Sequence, residues 1–182
     1  MIQIEVLAQG APDPAALAAL RTLFDSEYLC GFGPWDPDQP YGYAPHEVHV
    51  IARSADEVVG HVGWARRVIG VGGTPTTIGG VGGVLVAARA RGLGLGASLM
   101  HRAAQAMADH GDIDFGYLGC REEVVPFYAS CGWHRVLAPE RLVGRDGTPV
   151  EEAPGQPLMV LPVGRAFAEW PSGTIDLRGR AW

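Results

Sequence analysis

Arg91-Gly92-Leu93-Gly94-Leu95-Gly96 is the stretch with the clearest capacity for chemistry. It follows the apolar strand end Val84-Leu85-Val86 and runs through Ala97 into an amphipathic helix. Small residues let successive backbone N–H groups point into one concavity, and a helix N-terminus adds partial positive charge. Such a turn suits a pyrophosphate; a tight turn without a ligand is the alternative. Glycines at every second position do not match the dinucleotide fingerprint G-x-G-x-x-G. All 14 basic residues are arginine, so the lysine of a P-loop is absent and ordinary P-loop phosphoryl transfer is excluded.

The cysteines offer less. Cys30, Cys120 and Cys131 show neither disulfide-like nor metal-like spacing, so free thiols in a reducing compartment and no metal are expected. Cys120 ends a short apolar strand with no histidine at a spacing that suggests pairing, so a nucleophilic role is not expected of it. Candidates for a base or an anchor are Asp36, Asp38, Glu47, His49, His61, Glu122, Glu123 and the Trp182 carboxylate, each with an ordinary surface or core role as its alternative.

The elements that must position these residues follow from patterning. Ile2 to Leu7 alternates as a half-buried strand does. Asp13-Pro14 supplies an N-cap and a first-turn proline for a helix carrying Leu17, Leu20, Leu23 and Phe24. Residues 29–46, with their glycines, prolines and aromatics, read as a long ordered loop. Strands are expected over Glu47–Arg53, Val58–Ile69 and Thr76–Val86. The last holds Gly79, Gly80, Gly82 and Gly83, which marks a bulge or a close approach to the backbone. A helix from Gly94 to His110, a strand over Phe115–Cys120, a short helix over Val124–Ser130 and a strand over Gly132–Leu137 follow. Residues 138–156 read as a loop, Met159–Pro162 as the last strand, and Val163–Trp182 as a tail packed on the body.

The chain of 182 residues, 47% hydrophobic and 19% charged, fits one domain over residues 1–182. Strands first and then alternating helix and strand give an α+β (α/β mixed-sheet) class. No apolar run approaches the length of a membrane span, and Met1-Ile2-Gln3-Ile4-Glu5 does not open a secretory signal, so a cytoplasmic protein with no membrane partner is expected. The net charge of −6 and the lack of a basic stripe argue against a nucleic-acid partner.

Arg91-x-x-Gly94-x-Gly96 resembles the signature loop of the GNAT acyltransferases, and Val125-Pro126-Phe127-Tyr128-Ala129-Ser130-Cys131-Gly132-Trp133 resembles that superfamily's later motif. The resemblance covers essentially the whole chain. It implies a GNAT fold, a mostly antiparallel central sheet flanked by helices. It also implies acetyl-coenzyme A as cofactor, held by Val84, Leu85, Val86 and the loop Arg91–Ala97. Tyr128 then resembles the general acid that protonates the leaving thiolate in a direct transfer, and a backbone N–H near Val84–Val86 would stabilise the oxyanion.

Two groups within the superfamily are similar. Val84-Leu85-Val86, Tyr128-Ala129-Ser130, Val160-Leu161-Pro162 and Trp182 resemble the aminoglycoside 2'-N-acetyltransferases. Gly60-His61-Val62-Gly63, Arg66-Arg67, Val160–Arg165 and Trp170-Pro171-x-Gly173-Thr174 resemble the nodulation-factor N-acyltransferases. Both acylate an amine on a sugar, so a small-molecule amino-sugar substrate is expected.

The leading expectation is an aminoglycoside 2'-N-acetyltransferase acting in antibiotic resistance. Trp35, Asp36, Asp38, Gly82, Gly83 and Trp182 would be its substrate-binding residues. Gly82 and Arg180 stand where that group carries acidic residues, so a less cationic acceptor such as kasugamycin is expected. The alternatives are a nodulation-type enzyme using a longer acyl donor on an acyl carrier protein, a coenzyme A-binding module with little catalysis, and a protein acetyltransferase. Many members of the fold form homodimers, with the C-terminal segment as a contact.

Overall fold

The computed structural model describes residues 2–8 and 12–182. Strand β1 spans Ile2–Ala8, and helix α1 follows over Pro14–Phe32. Asp13 caps α1, its carboxylate accepting the Ala16 N–H at 2.7 Å, and Gly33 ends it at φ 78°. The helix thus runs through 29–32, where the sequence reading placed the start of a loop. Gly31 has open space around it, and Phe24, Tyr28 and Phe32 continue one face at i, i+4, i+8.

Three long strands form the centre: β2 over Val48–Ser54, β3 over Glu57–Val71 and β4 over Thr74–Val86. Helix α2 covers Leu95–His110, and β5 covers Phe115–Gly119. A short helix α3 (Val125–Ser130) leads to β6 (His134–Val136). The region 138–156 is not all loop: Glu140–Val143 (β7) and Pro149–Glu152 (β8) pair as a hairpin. Strand β9 spans Leu158–Pro162. It is not the last strand, since β10 covers Ile175–Arg180 within the expected tail.

Among the described residues, ten strands form one sheet, in the order β6-β9-β5-β4-β3-β10-β7-β8 with β2 and β1 branching from β3. Strand β3 is long enough to hold β2 along its first half and β10 along its second. Only β4/β5 and β7/β10 are parallel; the other pairs are antiparallel. The architecture is therefore the mixed, mostly antiparallel sheet with flanking helices that the sequence implies.

Two cores hold it together. Leu20, Leu23 and Phe24 of α1 and Leu99, Ala103 and Met107 of α2 pack with Val50, Val62 and Val81 of the sheet. Phe115, Tyr117, Val160, Ile175 and Leu177 form the second cluster, with Trp170 and Trp182 against it. The C-terminal segment is thus anchored by Ile175 and Leu177, both fully buried. No helix among the described residues is long and apolar enough to cross a membrane.

Candidate active site

The site begins where two parallel strands part. Strand β5 pairs with β4 at Ile78–Phe115, Gly79–Gly116 and Gly80–Tyr117, and no further. Beyond Gly80, the edge of β4 that faced β5 has no strand partner. On its other edge β4 carries one extra residue between the partners of His61 and Gly63, and Gly83 takes φ 59° at this bulge. A left-handed backbone is what glycine supplies at least cost. The bulge turns Gly83 and Val84 toward a cavity of about 410 Å³.

The Gly-rich loop lies just downstream of this strand end. Arg91 donates to the Val86 carbonyl at 2.9 Å and pairs with Glu27 of α1 at 2.6 Å, so its side chain ties the loop to β4 and α1. Gly92 (φ 80°) and Gly94 (φ 73°) are left-handed, and Gly94 caps α2 without any side-chain hydrogen bond. Gly92, Leu93, Gly94 and Ala97 are exposed, while Leu95 is buried. The first turn of α2 therefore presents N–H groups that no capping side chain satisfies, with no acidic residue in that turn. That is an anion-binding arrangement suited to a pyrophosphate. Gly96 is small for a packing reason: a Cβ there would meet the Phe127 ring at 3.3 Å.

Phe127 brings α3 against that loop and leaves Tyr128 beside it. Tyr128 is 8% exposed, with Phe127 and Trp133 around its ring. Burial is the chief cause that pushes its phenol well above the usual value, with Cys120, Cys131 and Tyr28 adding in the same direction. The hydroxyl is therefore protonated at neutral pH. Cys120 and Cys131 are half-buried, and burial raises both thiols, which makes them poor nucleophiles.

The cavity beside Gly83 and Val84 is walled by aromatics from α1 and the following segment. Phe24, Tyr28 and Phe32 form one wall, and Tyr41, Tyr43 and Trp182 stand opposite or beside them. Tyr41 meets Tyr28, Phe24 and Phe32 ring to ring, and burial pushes its phenol up to about 12. The charged side chains of the lining are Arg121 and Arg145; it contains no Asp or Glu. A second cavity of about 490 Å³ shares Tyr43, Arg145 and Trp182 with the first, and there Glu140, Asp146 and Glu152 supply acidic groups.

The glycines of β4 make room for the protein's own side chains. A Cβ at Gly79 would strike Met107, and one at Gly80 would strike the Trp182 indole. One at Gly82 would stand 2.5 Å from the Trp182 carbonyl carbon and 3.0 Å from His46 Nε2. Arg67 stacks its guanidinium 3.8 Å from the Trp182 ring centre and donates to the Leu177 and Arg180 carbonyls. The glycines expected to mark a ligand's approach thus receive Met107, Trp182 and His46.

The predicted substrate residues divide. Gly83 and Trp182 line the first cavity, and Gly82 is buried behind Trp182. Trp35 is 2% exposed and stacks on Phe24 with ring centres 5.0 Å apart, outside the lining of both cavities. Its backbone N–H donates to Asp25 and its carbonyl accepts from Arg21, so it belongs to the core. Asp36 is exposed and accepts the Asp38 N–H in a local turn. Asp38 lines a neighbouring recess with Glu47, His49 and Arg66, which shares His46 with the first cavity. Of the other candidates, Glu122 pairs with Arg135 on the surface, and His49 and His61 are buried. Sequence reasoning missed His46, Arg121, Arg145 and the α1 aromatics. Only the last carried a signal, their four-residue spacing.

The fold is that of the GNAT N-acyltransferases. Among solved structures the chain resembles Escherichia coli ElaA, at 20% identity and TM-score 0.64 over 88% of this chain and 99% of that one. It also resembles the GNAT family N-acetyltransferase YhbS of Escherichia coli, solved with CoA, at 16% identity and TM-score 0.60 over 97% and 88%. A third likeness is the Escherichia coli ribosomal-protein-S18-alanine N-acetyltransferase, at 15% identity and TM-score 0.56 over 93% and 98%. These likenesses concern the fold. The family model described as nodulation protein A (NodA) matches residues 16–180, and the chain belongs to that family. The comparison with curated protein sequences gives no match.

Proposed function

We propose that the protein transfers an acyl group from an acyl-coenzyme A thioester to the amine of an amino sugar. The parting of β4 from β5 beside an uncapped α2 N-terminus carries this reading. It offers a groove for the thioester arm and N–H groups for a pyrophosphate. In the reaction the neutral amine nitrogen attacks the thioester carbonyl carbon, and the C–S bond breaks. The thiolate takes a proton from Tyr128, and the amine's surplus proton passes through solvent to restore the Tyr128 phenol. An unpaired β4 N–H near Val84 would donate to the carbonyl oxygen as charge builds on it.

The acceptor side favours a sugar of low positive charge. Aromatic walls suit apolar sugar faces, while Arg121 and Arg145 repel a polycation. The aminoglycoside reading keeps one form here, an acceptor with compensating negative charge such as kasugamycin, with antibiotic inactivation as its role. Acetyl-coenzyme A is the donor on that reading.

The family match favours a second form, a donor with a longer acyl chain, and the aromatic face of α1 offers apolar wall for it. Release of free thiol from acetyl- and long-chain acyl-coenzyme A, measured against kasugamycin, tobramycin and a chitooligosaccharide, tests both. Turnover with an amino sugar supports the proposal, and the preferred chain length decides between the two forms. No release from any donor–acceptor pair rejects acyl transfer from coenzyme A to an amino sugar.

A further inference from the structure

Three imidazoles converge behind the bulge of β4. His49 on β2 stands opposite Gly63 in the pairing register, and His61 on β3 stands opposite Ile51, so the two histidines are diagonal neighbours. A side chain at 63 would overlap the ring of His46, which folds back from the segment before β2 into that vacancy. The ring centres are 5.2, 5.7 and 5.9 Å apart. One ring nitrogen from each lies within 4.8 Å of the other two.

Three details distinguish this cluster from ordinary packing. His49 Nδ1 and His61 Nε2 face each other at 2.9 Å, a distance that two lone pairs do not tolerate without a proton or a cation between them. His46 Nε2 is buried with no hydrogen-bond partner. His61 Nδ1 lies 2.7 Å from the Gly83 carbonyl, which can only accept, so Nδ1 carries the hydrogen and Nε2 keeps its lone pair. A backbone carbonyl orienting the far nitrogen is the usual outer support of a metal-bound histidine.

We propose that His46, His49 and His61 form a binding site for one zinc-type divalent cation. Tetrahedral zinc with Zn–N distances of about 2.0–2.1 Å sets its nitrogen ligands roughly 3.3 Å apart, so the His49–His61 pair opens by a few tenths of an ångström from 2.9 Å and His46 closes onto it. Taking the cation moves the His49 hydrogen from Nδ1 to Nε2 and releases no proton. Burial depresses all three imidazoles, His46 to about 3 and His49 to about 4, which keeps them in the neutral form that coordinates. His46 and His49 also line the outer recess with Glu47 and Arg66, which supplies an entry path. The bound ion would cross-link β2, β3 and the preceding segment, and through His61 it would fix the Gly83 carbonyl at the bulge.

The test uses tag-free, chelator-stripped full-length protein titrated with Co²⁺. The expected result is a visible d–d band of four-coordinate intensity that saturates at one equivalent and disappears when Zn²⁺ is added. His46→Ala, checked for folding by circular dichroism, should abolish the band. Folded wild-type protein that shows no saturable band overturns the proposal, as does a band that survives in folded His46→Ala. Should the variant fail to fold, the wild-type titration decides alone. Neither readout depends on the acyl acceptor.

Discussion

The main chain of Trp182 occupies the place a side chain at Gly82 would take, with its carbonyl carbon 2.5 Å from that Cβ position. The packing of Trp182 thus leaves no room for a side chain at 82. Gly82→Ala should overpack this contact, lowering stability by about 1–3 kcal/mol and displacing Trp182. Thermal unfolding of Gly82→Ala, Trp182→Gly and the double variant forms the cycle that checks it. The double variant should be more stable than the sum of the single effects, and strict additivity would separate the two residues.

Tyr128 is held protonated by burial. Tyr128→Phe should lower kcat by roughly 10²–10⁴-fold, the usual range for a lost general acid. The dissociation constant for coenzyme A should change little. Calorimetry with coenzyme A beside steady-state kinetics separates these effects, and an unchanged kcat would remove the proton donor.

Arg121 lines the cavity proposed for the acceptor, and Arg121→Glu reverses one of its two cationic groups. The ratio of kcat/KM for tobramycin to that for kasugamycin should rise several-fold, and the rise should shrink with added salt. A constant ratio would place the acceptor elsewhere.

Trp35 belongs to the core, stacked on Phe24. Trp35→Ala should cost about 3–5 kcal/mol of stability, as truncation of a buried tryptophan does. Denaturant unfolding measures this. A KM effect on the acceptor with unchanged stability would contradict the placement.

Glu140 supplies a pH dependence opposite in sign to that of His46, His49 and His61, whose depressed imidazoles favour folding as pH rises. Burial, the largest cause, pushes its carboxyl up; the Tyr117 hydroxyl that donates to it pulls the other way, and Glu152 adds to the rise. A carboxyl with a raised folded-state pKa stabilises most while protonated. Its contribution is lost as pH rises from the unfolded value of about 4.3 through the folded one. Glu140→Gln keeps an acceptor for Tyr117 and removes that loss. Melting temperatures across this window should therefore fall less with rising pH in the variant than in the wild type.

The Gly-rich turn into α2 was legible because its glycines, its preceding apolar strand and its amphipathic helix are contiguous. The Phe127–Tyr128 helix and the Gly132-Trp133 turn were legible for the same reason. Strand β10 was not: only two of its residues, Ile175 and Leu177, are fully buried, and its pairing with β3 spans a gap of about 100 residues in sequence. The hairpin of β7 and β8 was masked by Gly144, Gly147 and Pro149, which resemble a loop until the strands pair. Trp35 read as a substrate-binding residue because it lies in the Gly- and Pro-rich segment 29–46, and nothing local reveals the stacking on Phe24. The histidine cluster escaped because 46, 49 and 61 meet only through strand register and the vacancy at Gly63.

Trp182 stands between the two cavities together with Tyr43 and Arg145. Its indole is fixed from behind by Arg67 and seated on Gly80, so this partition is as rigid as the sheet beneath it. The consequence is a limit on acceptor length set by one side chain. With the indole in place, a molecule reaching Val84 must fit the aromatic compartment or thread past Tyr43. Replacing Trp182 with a small residue would join an arginine-bearing aromatic chamber to one that carries Glu140, Asp146 and Glu152, and on the proposed reading longer, more basic acceptors would enter.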